Sequence, residues 1–293
     1  MDELAKYNKE RWKALVEAEA VFTRPALNLD PSLAQEQLDP ERRFGNIARK
    51  DVLCLACGGG QQSVAFALLE ANVTVFDLSE AQLQRDREAA AHFGVDITLL
   101  QGDMRDLSVL EEASFDIVYH AYSLGFVPNA RVVFQQVARV LRPAGLYHFM
   151  CANPFFLGLG EKDWNGAGYT LKHPYINGTE IRYDDQAWVY DRSKSGAPIP
   201  PPREFRHTLS ALVSGLVEHG FVILHISDYS NFYPDPNADP GTLAHLVSIA
   251  PPWLSFWAAY HPDVLPRQVA SQSANCAQYN LREVAAVPRL STG

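Results

Sequence analysis

Through its first half, the chain alternates short apolar runs with longer segments of helical periodicity. The apolar runs have the length and composition of strands buried on both faces. They cover 51–56, 73–76, 97–100, 115–119 and 145–150. The helical segments cover 61–70, 79–92 and 130–141. Strands joined in this way predict right-handed crossovers within a mostly parallel sheet.

The two ends of the chain follow different patterns. Residues 1–20 mix apolar with charged side chains at the spacing of an amphipathic helix. Residues 206–220 predict a helix that stops at a glycine, and 221–226 predict another strand. Beyond residue 228 the chain is rich in proline and aromatic residues, and we expect one helix near 241–260.

These elements predict an α/β fold with a doubly wound sheet and helices on both faces. A stretch rich in Gly, Pro, Trp and Tyr interrupts the pattern before the last helix and strand. We therefore expect an N-terminal helical cap at 1–44, a core at 45–153 and 205–230, an insertion at 154–204 that forms a substrate lid, and a C-terminal extension at 231–293.

Composition narrows the class of protein. The 293 residues carry a formal net charge of −9, with 47% hydrophobic and 20% charged residues, which excludes a disordered or fibrous chain. The acidic balance disfavours a nucleic-acid partner, because such binding depends on neutralising phosphates. No segment approaches the roughly 18–20 apolar residues that span a bilayer, and the N-terminus lacks the apolar part of a secretion signal. We expect a cytoplasmic protein without a membrane partner.

Polar and glycine residues follow three of the predicted strands. Gly58–Gly60 follow the first strand, Asp77 ends the second, and Asp103 and Met104 follow the third. Ligands of open parallel sheets bind at the carboxyl ends of the strands. Glycines there permit close approach of the backbone, and a carboxylate can accept hydrogen bonds from a ribose diol. Together the three positions predict a site for an adenosine-containing ligand.

Five segments carry a resemblance to the class I S-adenosylmethionine-dependent methyltransferases. The segments are Val52-Leu-Cys-Leu-Ala-Cys-Gly-Gly-Gly60, Val75-Phe-Asp-Leu-Ser79, Gln101-Gly-Asp-Met-Arg-Asp106, Phe115-Asp-Ile-Val118 and Arg139-Val-Leu-Arg-Pro-Ala-Gly-Leu146. The residue pattern of these segments resembles that of the small-molecule branch related to the ubiquinone and menaquinone C-methyltransferases. The resemblance covers about residues 45–152, with 206–228 as the rest of the sheet. It implies a Rossmann-like sheet of seven strands whose last strand is antiparallel.

The same resemblance implies S-adenosylmethionine as cofactor and assigns residues to it. Ala56, Gly58 and Gly60 would face its methionine part, and Asp77 its ribose. Asp103 and Met104 would face its adenine. The predicted cofactor-binding set also includes Cys57, Gln61, Leu78 and His120.

Cys54 departs from the family pattern, which often has an acidic residue at the start of the glycine motif. In the family that carboxylate helps to hold the cofactor's ammonium group, so other acceptors would compensate here. We interpret Cys54 as a buried, small apolar residue. The Cys54-x-x-Cys57 spacing lies in a strand and has no second ligand pair, so we predict no metal site. Together with Cys151 and Cys276, these cysteines do not form a disulfide framework.

Candidate catalytic groups lie after the fourth strand. Methyl transfer from a sulfonium is an in-line displacement that depends on positioning, and an acceptor that bears a proton also benefits from a base. His120 and Tyr122 are the candidates for that base. The alternatives for His120 are lining the site or simple packing.

Candidate substrate-binding residues come from both ends of the core. Each group of them also has a structural alternative. The aromatic residues of the insertion could form a separate cluster, Arg206 and His207 could begin a solvent-exposed helix, and the N-terminal helix could pack on the sheet without contacting substrate. The predicted set is Tyr7, Trp12, Asn153, Trp164, Tyr175, Arg206 and His207, with Tyr169, His173, Tyr183, Trp188 and Tyr190 as further lid residues.

The leading functional hypothesis is methyl transfer to a small-molecule metabolite held under the insertion. The alternative is a methyltransferase that acts on RNA or protein. A remote alternative is an NAD(P)-dependent oxidoreductase, which the missing third glycine of G-x-G-x-x-G disfavours. A cofactor-binding protein without catalysis is the last alternative. The sequence leaves open whether the protein is a monomer or a homodimer.

Overall fold

A computed structural model describes residues 1–182, 199–228 and 233–264 of the protein. The α-helices are α1 (Glu3–Glu17), α2 (Pro31–Leu38), α3 (Gln62–Leu68), α4 (Glu80–Phe93), α5 (Ala130–Val140), α6 (Leu209–Glu218) and α7 (Leu243–Ile249). The strands are β1 (Asp51–Leu55), β2 (Asn72–Asp77), β3 (Ile97–Gln101), β4 (Phe115–His120), β5 (Leu141–Ala152), β6 (Glu180–Arg182), β7 (Arg203–Phe205), β8 (Phe221–Ser227) and β9 (Trp253–Tyr260).

Seven of these strands form one sheet in the order β3-β2-β1-β4-β5-β9-β8. Strands β1 to β5 pair in parallel, whereas β9 runs antiparallel to both β5 and β8. The predicted α/β fold is confirmed, including seven strands of which the last along the chain is antiparallel. The carboxyl ends of β1 to β4 therefore meet at one edge, where the glycine and carboxylate motifs lie.

Apolar cores cover both faces of the sheet. Leu53 and Leu55 of β1 pack on the face covered by α5 and α6, whereas Val52 and Cys54 pack on the face covered by α2, α3 and α4. This alternation follows from the two-residue period of a strand. Cys54 is fully buried in the second core, in agreement with its interpretation as a small apolar residue.

The helix predicted near 241–260 is wrong in its second half. Helix α7 ends at Ile249, and β9 follows after Pro251 and Pro252. Two prolines in succession disfavour a helix, and the six inner residues of β9 are all buried. A segment expected to extend the core thus supplies a strand inside the sheet, between β5 and β8.

Helix α6 begins later than its predicted start at residue 206. Its N-cap is Thr208, whose hydroxyl accepts a hydrogen bond from the backbone N–H of Ala211 at 3.2 Å. A threonine in this position ends the preceding extended segment, so Arg206 and His207 belong to that segment.

The insertion contains a small antiparallel sheet of β6 and β7, separate from the main sheet. The predicted lid residues Tyr183, Trp188 and Tyr190, and also Cys276, lie outside the described residues. None of the helices in the described ranges has the length and apolar character needed to cross a membrane.

Candidate active site

A cavity of about 1110 Å³ lies at the carboxyl ends of β1 to β5. Its other walls come from α1, residues 156–163, α7 and the start of β9. All predicted cofactor residues except Gly60 and His120 line it, namely Ala56, Cys57, Gly58, Gln61, Asp77, Leu78, Asp103 and Met104. The structure therefore brings together motifs from three separate strand ends.

Asp77 anchors the start of the glycine loop. Its Oδ2 accepts a hydrogen bond from the Gly58 N–H at 2.9 Å, and its Oδ1 accepts one from the Ser79 N–H at 2.8 Å. Burial raises the pKa of Asp77, and these two hydrogen bonds oppose that rise. A Cβ on Gly58 would lie 2.7 Å from the Cβ of Gln82, so only glycine fits between the two motifs.

Gly60 does not line the cavity, and its predicted contact with the cofactor stays a prediction. Its N–H donates to Oδ1 of Asp86 at 3.0 Å, and the neighbouring Gly59 N–H donates to Oδ2 of the same carboxylate at 2.9 Å. A Cβ on Gly60 would lie 2.6 Å from the carbonyl oxygen of Arg85. Gly60 is thus needed for close packing on α4, behind the loop.

Asp103 faces the cavity as part of an ionic chain. Nε of Arg105 donates to both carboxylate oxygens of Asp103, at 3.0 and 3.1 Å. Nη1 of Arg105 also donates to Oδ2 of Asp2 at 2.7 Å, and Asp2 is the N-cap of α1. The guanidinium of Arg105 lowers the pKa of Asp2. The N-terminal helix is thereby joined to the end of β3.

His120 does not line the cavity, which favours the alternative of packing over its predicted roles as base and cofactor contact. It is fully buried, with Nδ1 2.9 Å from the Tyr147 hydroxyl and Nε2 2.7 Å from the Ser123 hydroxyl. Burial lowers the pKa of His120 to about 3. Both ring nitrogens are occupied within the core, so His120 serves packing and hydrogen bonding.

Tyr122 does line the cavity, beside a carboxylate that the sequence did not indicate. Its hydroxyl donates to Oε2 of Glu204 at 3.0 Å, and Glu204 lies on β7 with 5% of its surface exposed. Burial raises the pKa of Glu204, while the hydrogen bond from Tyr122 and the positive charge of Arg11 lower it. Arg11 of α1 also lines the cavity and donates from Nε to the Pro200 carbonyl at 3.1 Å.

Of the two predicted substrate residues on α1, only Trp12 lines the cavity. Its ring packs edge-on against Phe22 and Phe126, at centroid distances of 5.9 and 5.8 Å. Tyr7 is turned away, and its hydroxyl donates to the Pro201 carbonyl at 2.8 Å. Trp12 thus lies where a substrate contact is possible, whereas the predicted contact of Tyr7 with substrate has no counterpart in the cavity lining.

Of the predicted lid residues that the structure describes, His173 lines the cavity, whereas Trp164, Tyr169 and Tyr175 form contacts outside it. Trp164 packs against Tyr169 and His245, at centroid distances of 5.3 and 4.8 Å. Tyr175 stacks on Phe155 at 5.0 Å. Neither Trp164 nor Tyr175 lines the cavity, so the alternative of a separate aromatic cluster fits them better.

Asn153, Arg206 and His207 are buried and do not line the cavity. Oδ1 of Asn153 accepts a hydrogen bond from the Phe155 N–H at 3.0 Å. Nη1 of Arg206 donates to the carbonyls of His173 and Pro174, and its Nη2 donates to that of Leu157. Nε2 of His207 lies 3.1 Å from the Leu124 carbonyl. Backbone groups thus occupy these side chains, and their contact with substrate stays a prediction.

Comparison with known proteins assigns the family. A family model described as a methyltransferase domain matches residues 52–145. The uncharacterized methyltransferase YbaJ of Bacillus subtilis is 31% identical over 227 residues, which cover 76% of this chain and 84% of that protein. The chain belongs to the class I S-adenosylmethionine-dependent methyltransferases. A ubiquinone biosynthesis O-methyltransferase of Shewanella pealeana is 29% identical over 205 residues, covering 66% of this chain and 85% of that protein.

Solved structures agree with this fold. An S-adenosylmethionine-dependent methyltransferase from Mesorhizobium loti matches with a TM-score of 0.56 at 22% identity, over 77% of this chain and 97% of that one. One from Clostridium acetobutylicum matches with a TM-score of 0.54 at 16% identity, over 80% and 93%. The fold agrees with the family match, which makes the protein an S-adenosylmethionine-dependent methyltransferase and overturns the oxidoreductase alternative.

The residues of this methyltransferase fit its cofactor. Two carboxylates, of Asp77 and Asp103, line the cavity and suit a ligand with hydroxyl, amino and cationic groups. The buried Oε1 of Gln82 has no hydrogen-bond partner among the described residues, although its Nε2 donates to the Gly58 carbonyl at 2.9 Å. When bound, S-adenosylmethionine supplies a methyl group on a positively charged sulfur.

Three buried charged residues of this methyltransferase, Arg11 and Glu204 in the cavity wall and Asp86 behind the glycine loop, were not found from the sequence. Arg11 and Asp86 lie in helices and Glu204 in a strand of three residues, where one charged side chain is ordinary. The available signal was burial, since Asp86 and Leu83 sit three residues apart on the inner face of α4. Only the fold shows that these charges point inward.

Proposed function

We propose that this methyltransferase transfers a methyl group to a small molecule with a largely apolar body. The observation that carries the proposal is the shared cavity, in which cofactor-motif residues and a second, apolar wall line the same space of about 1110 Å³. Pockets for one drug-sized ligand measure roughly 300–1,000 Å³. The cavity therefore has room for the cofactor together with a small acceptor.

We propose that the cofactor occupies the part of the cavity beside β1, β2 and β3. Asp77 would accept hydrogen bonds from the ribose, and Asp103 with Met104 would contact the adenine. Ala56, Cys57 and Gly58 would face the methionine part, with Gln61 and Leu78 at the sides. The support is that all these residues line the same cavity.

The acceptor would occupy the part beside α1, α7 and the start of β9. Trp12, Phe126 and Trp253 supply aromatic surface there, and Leu246 supplies aliphatic surface. Such walls bind an apolar or aromatic body and hold it by shape. The main contribution of these residues to the reaction is to hold the acceptor in line with the methyl group.

Tyr122 and Glu204 are the polar groups that we propose for the reacting end of the acceptor. An acceptor with a hydroxyl or amino group loses a proton during methylation, and a carboxylate within hydrogen-bond reach can take it. Glu204 is suited to this because burial raises its pKa and so makes it a stronger base. Tyr122, hydrogen-bonded to it, would orient the acceptor.

The relatives support an oxygen acceptor on a small molecule. The protein from Shewanella pealeana is named as an O-methyltransferase of ubiquinone biosynthesis, and this chain covers 85% of its length. Methylation of RNA is the less supported alternative, since the net charge of −9 opposes a polyanion. Protein as acceptor is disfavoured because the Tyr122–Glu204 pair lies inside the cavity, with Glu204 only 5% exposed.

A labelled-methyl assay tests the proposal. The full chain is incubated with methyl-labelled S-adenosylmethionine and a cell extract, which is then separated into low-mass and macromolecular fractions. We expect enzyme-dependent label in the low-mass fraction, and mass spectrometry then identifies the product. Label confined to RNA or protein would contradict the proposal.

Variants of two aspartates control this assay. Asp77→Ala removes the anchor of the glycine loop and is expected to abolish both label transfer and calorimetric binding of S-adenosylmethionine. Asp96→Ala changes an exposed aspartate just before β3, at the opposite edge of the sheet, and should behave as the wild type. Equal transfer by the wild type and Asp77→Ala would show that the label does not come from this site.

A further inference from the structure

Asp86 is a fully buried carboxylate behind the glycine loop, on the inner face of α4. Its Oδ2 accepts a hydrogen bond from the Gly59 N–H at 2.9 Å, and its Oδ1 accepts one from the Gly60 N–H at 3.0 Å. Oδ1 also accepts a hydrogen bond from the Ser63 hydroxyl, at the start of α3. One side chain thus holds two successive backbone groups of the loop and joins the loop to the helix that follows.

The loop reaches the cavity on either side of these two glycines. Gly58 comes before them, Gln61 and Gln62 come after them, and all three line the cavity. Gly59 and Gly60 have φ values of +135° and +70°, so the backbone takes a course that most other residues would strain. Because Asp86 holds Gly59 and Gly60 in the middle of the loop, it also fixes the positions of the cavity-lining residues on either side of them.

The surroundings of Asp86 are acidic or neutral. Asp77 at the end of β2 raises its pKa, and Cys54 of β1 and Cys57 after β1 also lie close enough to interact electrostatically with it. The hydrogen bonds from Ser63, Gly59 and Gly60 lower its pKa. Burial outweighs them and raises the pKa of Asp86 to about 7.

We infer that Asp86 is a positioning residue for the cofactor: its ionised carboxylate holds Gly59 and Gly60 in the binding conformation, and its protonation releases them. A protonated carboxyl loses part of its acceptor capacity and gains a donor that opposes the backbone N–H groups. Cofactor affinity therefore falls as the pH falls through neutrality. In this chain the buried carboxylate behind the glycine loop is Asp86 of α4, whereas Cys54 of β1 stands where the family often has an acidic residue.

The stability of the ligand-free protein should respond to Asp86 with the opposite sign. The pKa of Asp86 is raised from 3.8 to about 7, so the folded protein holds this proton more tightly than the unfolded chain. The contribution of Asp86 to stability is present at low pH and is lost as the pH rises through about 7. A weaker affinity at pH 6 would thus not reflect loss of folding caused by this group.

Calorimetric binding of S-adenosylhomocysteine to the full chain, at several pH values from 6 to 8, tests the inference. If cofactor binding requires the ionised form, affinity at pH 6 should be about five- to tenfold weaker than at pH 8. Asp86→Asn cannot ionise and places an amide donor against the loop, so it should bind weakly at pH 8 and show no pH dependence. Affinity of the wild type that does not change with pH would overturn the inference.

Two further variants keep the test decisive even if Asp86→Asn folds poorly. Ser63→Ala removes a hydrogen bond that lowers the pKa of Asp86, so the fall in affinity should begin at a higher pH than in the wild type. Glu88→Gln changes a partly exposed acid of the same helix, paired with Arg85, and should reproduce the wild-type profile. An unshifted profile in Ser63→Ala, or pH dependence that persists in Asp86→Asn, would contradict the role of Asp86.

Discussion

At the scale of single residues, the site depends on buried carboxylates with distinct partners. Asp77 holds Gly58, Asp86 holds Gly59 and Gly60, and Glu204 accepts the hydrogen bond of Tyr122. Burial raises the pKa of each of these acids, and the hydrogen bonds that each accepts oppose this. Asp77 and Asp86 hold the glycine loop, which borders the space proposed for the cofactor, whereas Glu204 lies beside the space proposed for the acceptor.

Glu204 provides a prediction about turnover. Glu204→Gln keeps the shape of the side chain but cannot take a proton, so transfer to the labelled small molecule should fall by about a hundredfold or more. In the wild type, transfer should fall at low pH as Glu204 becomes protonated, at a pH above the ordinary range because its pKa is raised. Rates of label incorporation against pH measure both effects.

Tyr122→Phe is the matched variant for this prediction. It removes the hydrogen bond to Glu204 but leaves the carboxylate, so it should reduce transfer less than Glu204→Gln does. Calorimetric affinity for S-adenosylhomocysteine should stay at the wild-type value in both variants. Wild-type turnover in Glu204→Gln would remove Glu204 from the reaction.

The sequence predicted residues in contiguous motifs better than residues brought together by the fold. Asp77, Asp103 and Met104 were identified because each stands at the end of a strand. His120 was placed in the site because it stands at the end of β4, whereas its ring turns into the core between Tyr147 and Ser123. The direction of a side chain at a strand end depends on packing that a local pattern does not contain.

At the scale of elements, strand β9 shows where periodicity failed. The segment Trp253–Tyr260 is apolar along its whole length, and such a run fits a buried strand or a buried helix equally. In the fold this segment lies between β5 and β8 and pairs antiparallel with both, which makes it a strand. Residues 61–70, 79–92 and 130–141 were predicted correctly as helices because caps and glycines bound them.

Helix α1 gives a prediction at this scale, through the ionic chain from Asp2 to Arg105 to Asp103. Arg105→Ala should release the start of α1 and leave Asp103 without its cation, and so weaken the binding of S-adenosylhomocysteine by about five- to tenfold. Asp2→Asn keeps an N-cap residue for α1 and leaves the ion pair between Arg105 and Asp103 intact. It should therefore reduce the affinity for S-adenosylhomocysteine much less.

Calorimetry at low and high salt checks this prediction. Salt should weaken the partly exposed pair of Arg105 with Asp2 and so narrow the difference between the wild type and Asp2→Asn. Equal affinities of Arg105→Ala and the wild type would mean that α1 does not influence the cofactor site.

At the scale of the whole molecule, function rests on a cavity that no single segment builds. The sheet supplies one wall through its strand ends, and the other wall comes from α1, residues 156–163, α7 and β9. The sequence predicted the first wall because its motifs are local. The second wall was predicted only in part, since Trp12 was identified but Glu204 and Trp253 were not.

The central claim is that the cofactor and a small acceptor share this cavity at separate ends. The measurement that tests it most directly compares Val247→Trp, which fills the end beside α7, with the wild type. Methyl transfer to the low-mass fraction should fall by about a hundredfold because the acceptor is displaced, while calorimetric affinity for S-adenosylhomocysteine stays at the wild-type value. Unchanged transfer in Val247→Trp, or loss of cofactor binding together with transfer, would contradict the claim.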